Sequence, residues 1–100
     1  MQVSFIDPLL AGLYKHGCPV SERFRCSPAV RRRYIFVLNS LRGVPTLTEL
    51  LELPHLVLHL VDCSTGLVCV DVTSVYRLEF TCHQADGMLT GITVSRLFPL

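Results

Sequence analysis

The stretch VYRLEFTC, residues 75–82, alternates apolar and polar side chains from Tyr76 onwards. A strand with this period of two sends successive side chains to opposite faces of a sheet. One face receives the apolar side chains of Tyr76, Leu78, Phe80 and Cys82. The alternation therefore predicts an antiparallel sheet with one face on a core and the other in water.

Similar stretches flank this strand on both sides. Residues 55–62 and 67–73 are rich in Leu and Val and are separated by the turn sequence Ser64-Thr65-Gly66, which predicts a hairpin. Downstream, residues 84–87 form a second turn sequence and residues 88–97 a fourth strand. The second half of the chain is thus predicted to be a four-stranded antiparallel meander.

The first half carries helix signals instead. Asp7-Pro8 is typical of a helix start and Gly17 of a helix end, whereas residues 2–6 alternate weakly, as a short strand would. A second helix is predicted over Pro28–Arg42, and a third begins at Thr46 with a Thr-x-x-Glu capping box. Residues 31–38 also fit a buried strand, but the start and stop signals favour the helix.

Together these elements predict an α+β fold in which N-terminal helices pack on the C-terminal meander. We expect one domain over residues 1–100, with a helical half of about 1–54 and a sheet half of about 55–100. Half of the residues are apolar and 17 % are charged. This composition excludes a disordered chain, and no apolar run is long enough for a transmembrane helix. Since no secretory signal is recognisable, we expect an intracellular protein, in the cytoplasm or nucleus.

The charges are divided unequally along the chain. Residues 1–45 carry seven basic and two acidic side chains, whereas residues 46–100 carry two basic and six acidic ones. Five arginines with interleaved aromatic residues make nucleic-acid binding the alternative function. The overall pI of about 7.7 is low for such a protein. The cluster consists of Arg23, Arg25, Arg31, Arg32 and Arg33.

Chemistry-bearing motifs are weak. No nucleophile elbow, phosphate loop or dinucleotide motif occurs, so we expect no enzymatic activity and no cofactor. The cysteines lack the paired spacing of a zinc knuckle, and we assign no metal site, although zinc binding stays open for one set of residues. That set is His55, His59, Cys63, Cys69 and Cys82.

The surplus of apolar residues gives the main functional expectation. The first hairpin has apolar side chains on both faces, and the predicted second helix has Ile35 and Phe36 off its main apolar stripe. We therefore expect a small protein-interaction module that forms a homo-oligomer or joins a larger assembly as an adaptor or regulatory subunit, or as a viral accessory protein. The predicted interface residues are Ile35, Phe36, Val57, Val61, Val68, Val70 and Val72.

Overall fold

The computed structural model describes residues 1–15 and 28–99. The described chain begins with a strand, continues with three helices and ends with four strands. In chain order the elements are β1 (Gln2–Phe5), α1 (Pro8–Lys15), α2 (Pro28–Arg42), α3 (Leu47–Leu51), β2 (Leu58–Asp62), β3 (Leu67–Asp71), β4 (Tyr76–Ala85) and β5 (Met88–Pro99). The predicted α+β class is confirmed.

The helix starts follow the capping signals of the sequence. Asp7 Oδ1 accepts a hydrogen bond from the Leu9 N–H at 2.9 Å, and Pro8 opens α1. Thr46 Oγ1 accepts from the Glu49 N–H at 3.2 Å and caps α3. Residues 31–38 lie inside α2, so the helical alternative was correct for that stretch. The predicted stop at Gly17 lies outside the described residues.

The sheet has five strands rather than four, in the order β1-β5-β4-β3-β2. The additional strand is β1, which pairs in parallel with β5, so that Gln2 lies beside Gly91. A Cβ on Gly91 would lie 2.7 Å from the main-chain oxygen of Gln2, so this close approach requires glycine. The weak alternation of residues 2–6 indicated a strand but not its partner.

The hairpins have turn residues suited to their backbone. Asp86 and Gly87 both have positive φ angles, 54° and 79°, which is the type I′ arrangement that joins β4 to β5 tightly. Gly66, at φ 76°, precedes β3 and lies so close to Cys82 that a Cβ would be 2.6 Å from its main-chain oxygen. These turns lock the register of β3, β4 and β5.

The helices and one face of the sheet enclose the core. Tyr34 of α2 is fully buried, and its hydroxyl donates to the Leu10 carbonyl of α1 at 2.9 Å. The predicted apolar face of β4 is the face that meets the helices, since Leu78, Phe80 and Cys82 are buried there. No helix in the described ranges is both long enough and apolar enough to cross a lipid bilayer.

Candidate interaction surface

Among the residues that the structure describes, strand β2 lies at one end of the sheet and pairs only with β3. Its side chains are unusually exposed for their apolar character. Val57 and Val61 are each 54 % exposed and Leu60 is 41 % exposed. Ile6, Val75 and Met88 are also exposed, but they are far apart in the sequence. The segment 57–61 is therefore a concentrated apolar edge.

The backbone N–H and C=O groups of successive β2 residues point alternately towards β3 and away from it. The Asp71 N–H donates to the Val57 carbonyl at 3.0 Å, and the register then makes His59 and Cys69 the next hydrogen-bonded pair. The residues between these positions, Leu58 and Leu60, direct their N–H and C=O groups away from β3. An outward row of donors and acceptors on an edge strand is a template for pairing with another strand.

Both faces of the sheet contribute side chains to this edge. Leu58 and Leu60 lie opposite Val70 and Val68, on the face covered by the helices. His59 lies opposite Cys69, on the face that none of the helices α1 to α3 covers, which we call the open face. A bulge between Leu60 and Asp62 ends the regular pairing. The edge is thus short, apolar and available on both faces.

Asp62 closes the turn that follows β2. Its Oδ1 accepts from the Ser64 hydroxyl at 2.7 Å and from the Ser64 N–H at 2.9 Å. These two hydrogen bonds, the first above all, hold the pKa of the Asp62 carboxyl below its ordinary value. The carboxylate is therefore engaged within its own turn.

The centre of the open face is polar and internally paired. Arg77 forms a salt bridge with Asp71 at 2.9 Å, and Arg96 forms one with Glu79 at 3.1 Å. The Arg96 guanidinium also lies 4.3 Å from the centroid of the Phe98 ring. This part of the sheet is the solvated face that the alternation of residues 75–82 predicted.

Three of the predicted interface residues occupy the core. Val68 and Val70 are fully buried and Val72 is 1 % exposed, because all three face the helices. The prediction that these valines line an interface is wrong. The hairpin is apolar on both faces, but its helix-covered face is part of the domain's own core. Val57 and Val61 remain exposed, and their interface role stays a prediction.

The predicted surface residues on α2 differ in exposure. Ile35 packs against the hydrophobic core. Phe36 is 43 % exposed, and its ring lies 5.5 Å from the His55 ring, centroid to centroid, and 4.7 Å from the Arg33 guanidinium carbon. The segment before β2 thus contacts Phe36 through His55, and the interface role of Ile35 and Phe36 stays a prediction.

The described arginines of the basic cluster differ in their contacts. The Arg31 Nε donates to the Leu13 carbonyl at 3.3 Å. Arg33 donates to the carbonyls of Val72, at 3.2 Å, and of His55, at 3.3 Å. Arg32 is exposed, and the predicted sites Arg23 and Arg25 lie outside the described residues. Two of the three described arginines thus connect structural elements.

The histidines and cysteines of the open zinc question are spread over the fold. In the part of the chain that the structure describes, no three His, Cys, Asp or Glu side chains are grouped as metal ligands. Cys63 is exposed, whereas Cys69 and Cys82 are buried. Burial raises the pKa of the Cys82 thiol to about 11. Burial, and then the Glu79 carboxylate, raise the pKa of the Cys69 thiol.

Leu60 is a surface residue that the sequence pattern did not indicate. Period-two alternation places Leu60 on the same face as Leu58, and the structure has both residues on the helix-covered face. The strand order, which places β2 at the end of the sheet, leaves Leu60 exposed there. The only local signal was the absence of a charged side chain over residues 56–61.

Comparison of the chain with protein-family models, with curated proteins and with solved structures found no match.

Proposed function

We propose that this chain is a small non-enzymatic protein-interaction module, self-associating or part of a larger assembly, and that β2 is its docking strand. One observation carries the proposal: β2 ends the sheet with exposed apolar side chains on both faces and with outward backbone groups at Leu58 and Leu60. A partner strand added to this edge would satisfy those groups and remove the side chains from water.

The edge suits a polypeptide partner because it offers two kinds of contact together. Main-chain hydrogen bonds to Leu58 and Leu60 would provide affinity for any extended segment. Val57, Leu60 and Val61 would add burial of apolar area, worth roughly 25 cal/mol per Å². The open-face centre is less suited, because its Arg77–Asp71 and Arg96–Glu79 pairs already satisfy each other.

Nucleic-acid binding by the arginine cluster has less support as a function. The guanidinium groups of Arg31 and Arg33 hold main-chain carbonyls of neighbouring elements. Among the described arginines of the cluster, Arg32 alone is exposed, whereas Arg31 and Arg33 are half-buried. A phosphate-binding surface needs several free cations on one side.

Affinity capture from cells with two matched variants tests the proposal. The edge variant carries Val57→Lys and Val61→Lys, which place charge on the docking strand. The control variant carries Val75→Lys and Met88→Lys, which add the same charge at two exposed apolar sites elsewhere. Each is compared with the unmodified chain, with and without nuclease, and circular dichroism confirms that both variants are folded.

The expected result is that proteins captured by the unmodified chain, including a second tagged copy, are retained by the control variant and lost by the edge variant. Nuclease should leave them unchanged. The proposal fails if the edge variant captures the same proteins as the control. It also fails if nuclease releases all of them, a result that would favour the arginine cluster as a nucleic-acid site.

A further inference from the structure

The docking strand and the residue before it contain a palindromic sequence. Residues 57–61 are Val-Leu-His-Leu-Val, which is the same in both directions about His59. When two identical strands pair in antiparallel fashion about a two-fold axis, each residue before the axis faces the equivalent residue after it. Pairing about His59 would therefore place valine against valine and leucine against leucine.

The backbone phase of β2 fits this register. Leu58 would face Leu60 of the second copy, and these are the residues whose N–H and C=O groups point outward. Each such pair would exchange both of its N–H···O=C bonds. His59 directs its backbone groups to β3, so it fits the non-hydrogen-bonded position on the axis. A register shifted by one residue would place inward-directed groups where bonds are needed.

The side chains fit the same register on both faces. A two-fold axis perpendicular to the sheet keeps the helices of both copies on one side. On that side Leu58 would pack on Leu60, which is 41 % exposed in the single chain. On the open face the two His59 side chains would meet at the axis, and Val57 would lie beside the bulged Val61 at each end of the contact. Directly opposed apolar residues are the stabilising contacts of a sheet.

Neither the net charge of the chain nor the residues of the edge oppose pairing of two copies. The chain has a net charge of +1, so two copies repel each other little. Residues 57–61 contain no proline and no Lys, Arg, Asp or Glu, the residues with which edge strands commonly prevent pairing. The bulge between Leu60 and Asp62 falls at Val61, the last residue of the palindrome, so the regular edge ends at Leu60. The pairs of Leu58 with Leu60 lie within this regular part.

We infer that the partner of the β2 edge is a second copy of this chain. The two β2 strands pair about a two-fold axis that passes between the two His59 residues. The two five-stranded sheets then form one continuous sheet. This inference rests on the proposed function, because it names the occupant of the same docking strand. The register of this pairing and the oligomeric state can be tested separately.

Sedimentation of the purified chain tests the oligomeric state. The unmodified chain and the control variant should sediment as dimers at high protein concentration, and the edge variant as a monomer. The inference is overturned if the unmodified chain remains a monomer, or if the edge variant dimerises as strongly as the control. A monomer that still captures another protein through the β2 edge refutes self-pairing and leaves the proposed function standing.

Disulfide formation tests the register. At a non-hydrogen-bonded pair the Cα atoms lie about 4.5 Å apart, within the range of a disulfide. In a background of Cys63→Ser and Cys69→Ala, His59→Cys should form an intermolecular disulfide between the two substituted positions, identified by peptide mass. Val75→Cys in the same background is the matched control and should cross-link slowly. Equal cross-linking of the two variants would overturn the register.

Discussion

The Arg33 side chain of α2 donates from Nε to the Val72 carbonyl at 3.2 Å, just beyond the end of β3. A second donor of the same guanidinium reaches the His55 carbonyl at 3.3 Å. One arginine thus ties the helix to the sheet and to the segment that leads into β2. A cluster that suggests phosphate binding in the sequence has, at this position, a structural role.

Replacing Arg33 tests that role. Arg33→Met keeps much of the apolar stem but removes both hydrogen bonds, and we expect the free energy of unfolding to fall by about 1–3 kcal/mol, as for hydrogen bonds with a charged donor. Arg32→Met, at the exposed neighbour, should change it by less than about 0.5 kcal/mol. Urea unfolding measures both, and equal losses would contradict the assigned role.

The contact between Gly91 and Gln2 gives a second prediction. A Cβ at residue 91 would lie 2.7 Å from the Gln2 main-chain oxygen, so Gly91→Ala must displace β1 from β5. We expect a loss of roughly 1–3 kcal/mol, as for other overpacked sites. Gly43→Ala is the matched control, because a Cβ there meets nothing within 4 Å. Thermal unfolding of the two variants should differ clearly, and equal stability would disprove the close β1–β5 approach.

The buried thiol of Cys82 predicts a stability change at alkaline pH. Burial raises its pKa from 9.0 to about 11, so the folded chain retains a proton that the unfolded chain loses. The contribution of the neutral Cys82 thiol to the free energy of unfolding is complete below pH 9 and is lost as the pH rises towards 11. We expect the unmodified chain to lose roughly 2–3 kcal/mol more than Cys82→Ala over that interval. Parallel pH profiles of the two chains would contradict it.

Thiol labelling checks the same burial at neutral pH. Cys63 is exposed and should react rapidly with a thiol reagent, whereas the buried Cys69 and Cys82 should react after unfolding. Mass spectrometry of the labelled peptides distinguishes the sites. Labelling of Cys82 in the folded chain at the rate of Cys63 would mean that β4 does not lie under the helices.

Much of the fold is predictable from local patterns. The caps at Asp7 and Thr46 and the alternation of residues 75–82 are short-range effects, and the elements they predict are present. The parallel pairing of β1 with β5 is a long-range contact. Its requirement for Gly91 depends on a neighbour almost ninety positions away in the sequence, so a local pattern does not reveal it.

The candidate surface was predictable only in part. Period-two alternation correctly separates the two faces of the hairpin, but it does not say which face the helices cover or which strand ends the sheet. Val68 and Val70 are therefore in the core although they belong to the same apolar hairpin as the exposed Val57 and Val61. The covered face decides that Val68 and Val70 are buried, whereas strand order, a property of the whole sheet, leaves Leu60 exposed opposite the buried Val68.

Amide hydrogen exchange at β2 tests the docking strand most directly. The N–H groups of Leu58 and Leu60 point away from β3, whereas that of His59 points towards it. Exchange is followed by nuclear magnetic resonance at low and high protein concentration. We predict that Leu58 and Leu60 exchange rapidly in the dilute chain and become protected as it associates, while His59 is protected throughout. Rapid exchange of Leu58 and Leu60 in the associated chain would contradict pairing through this edge.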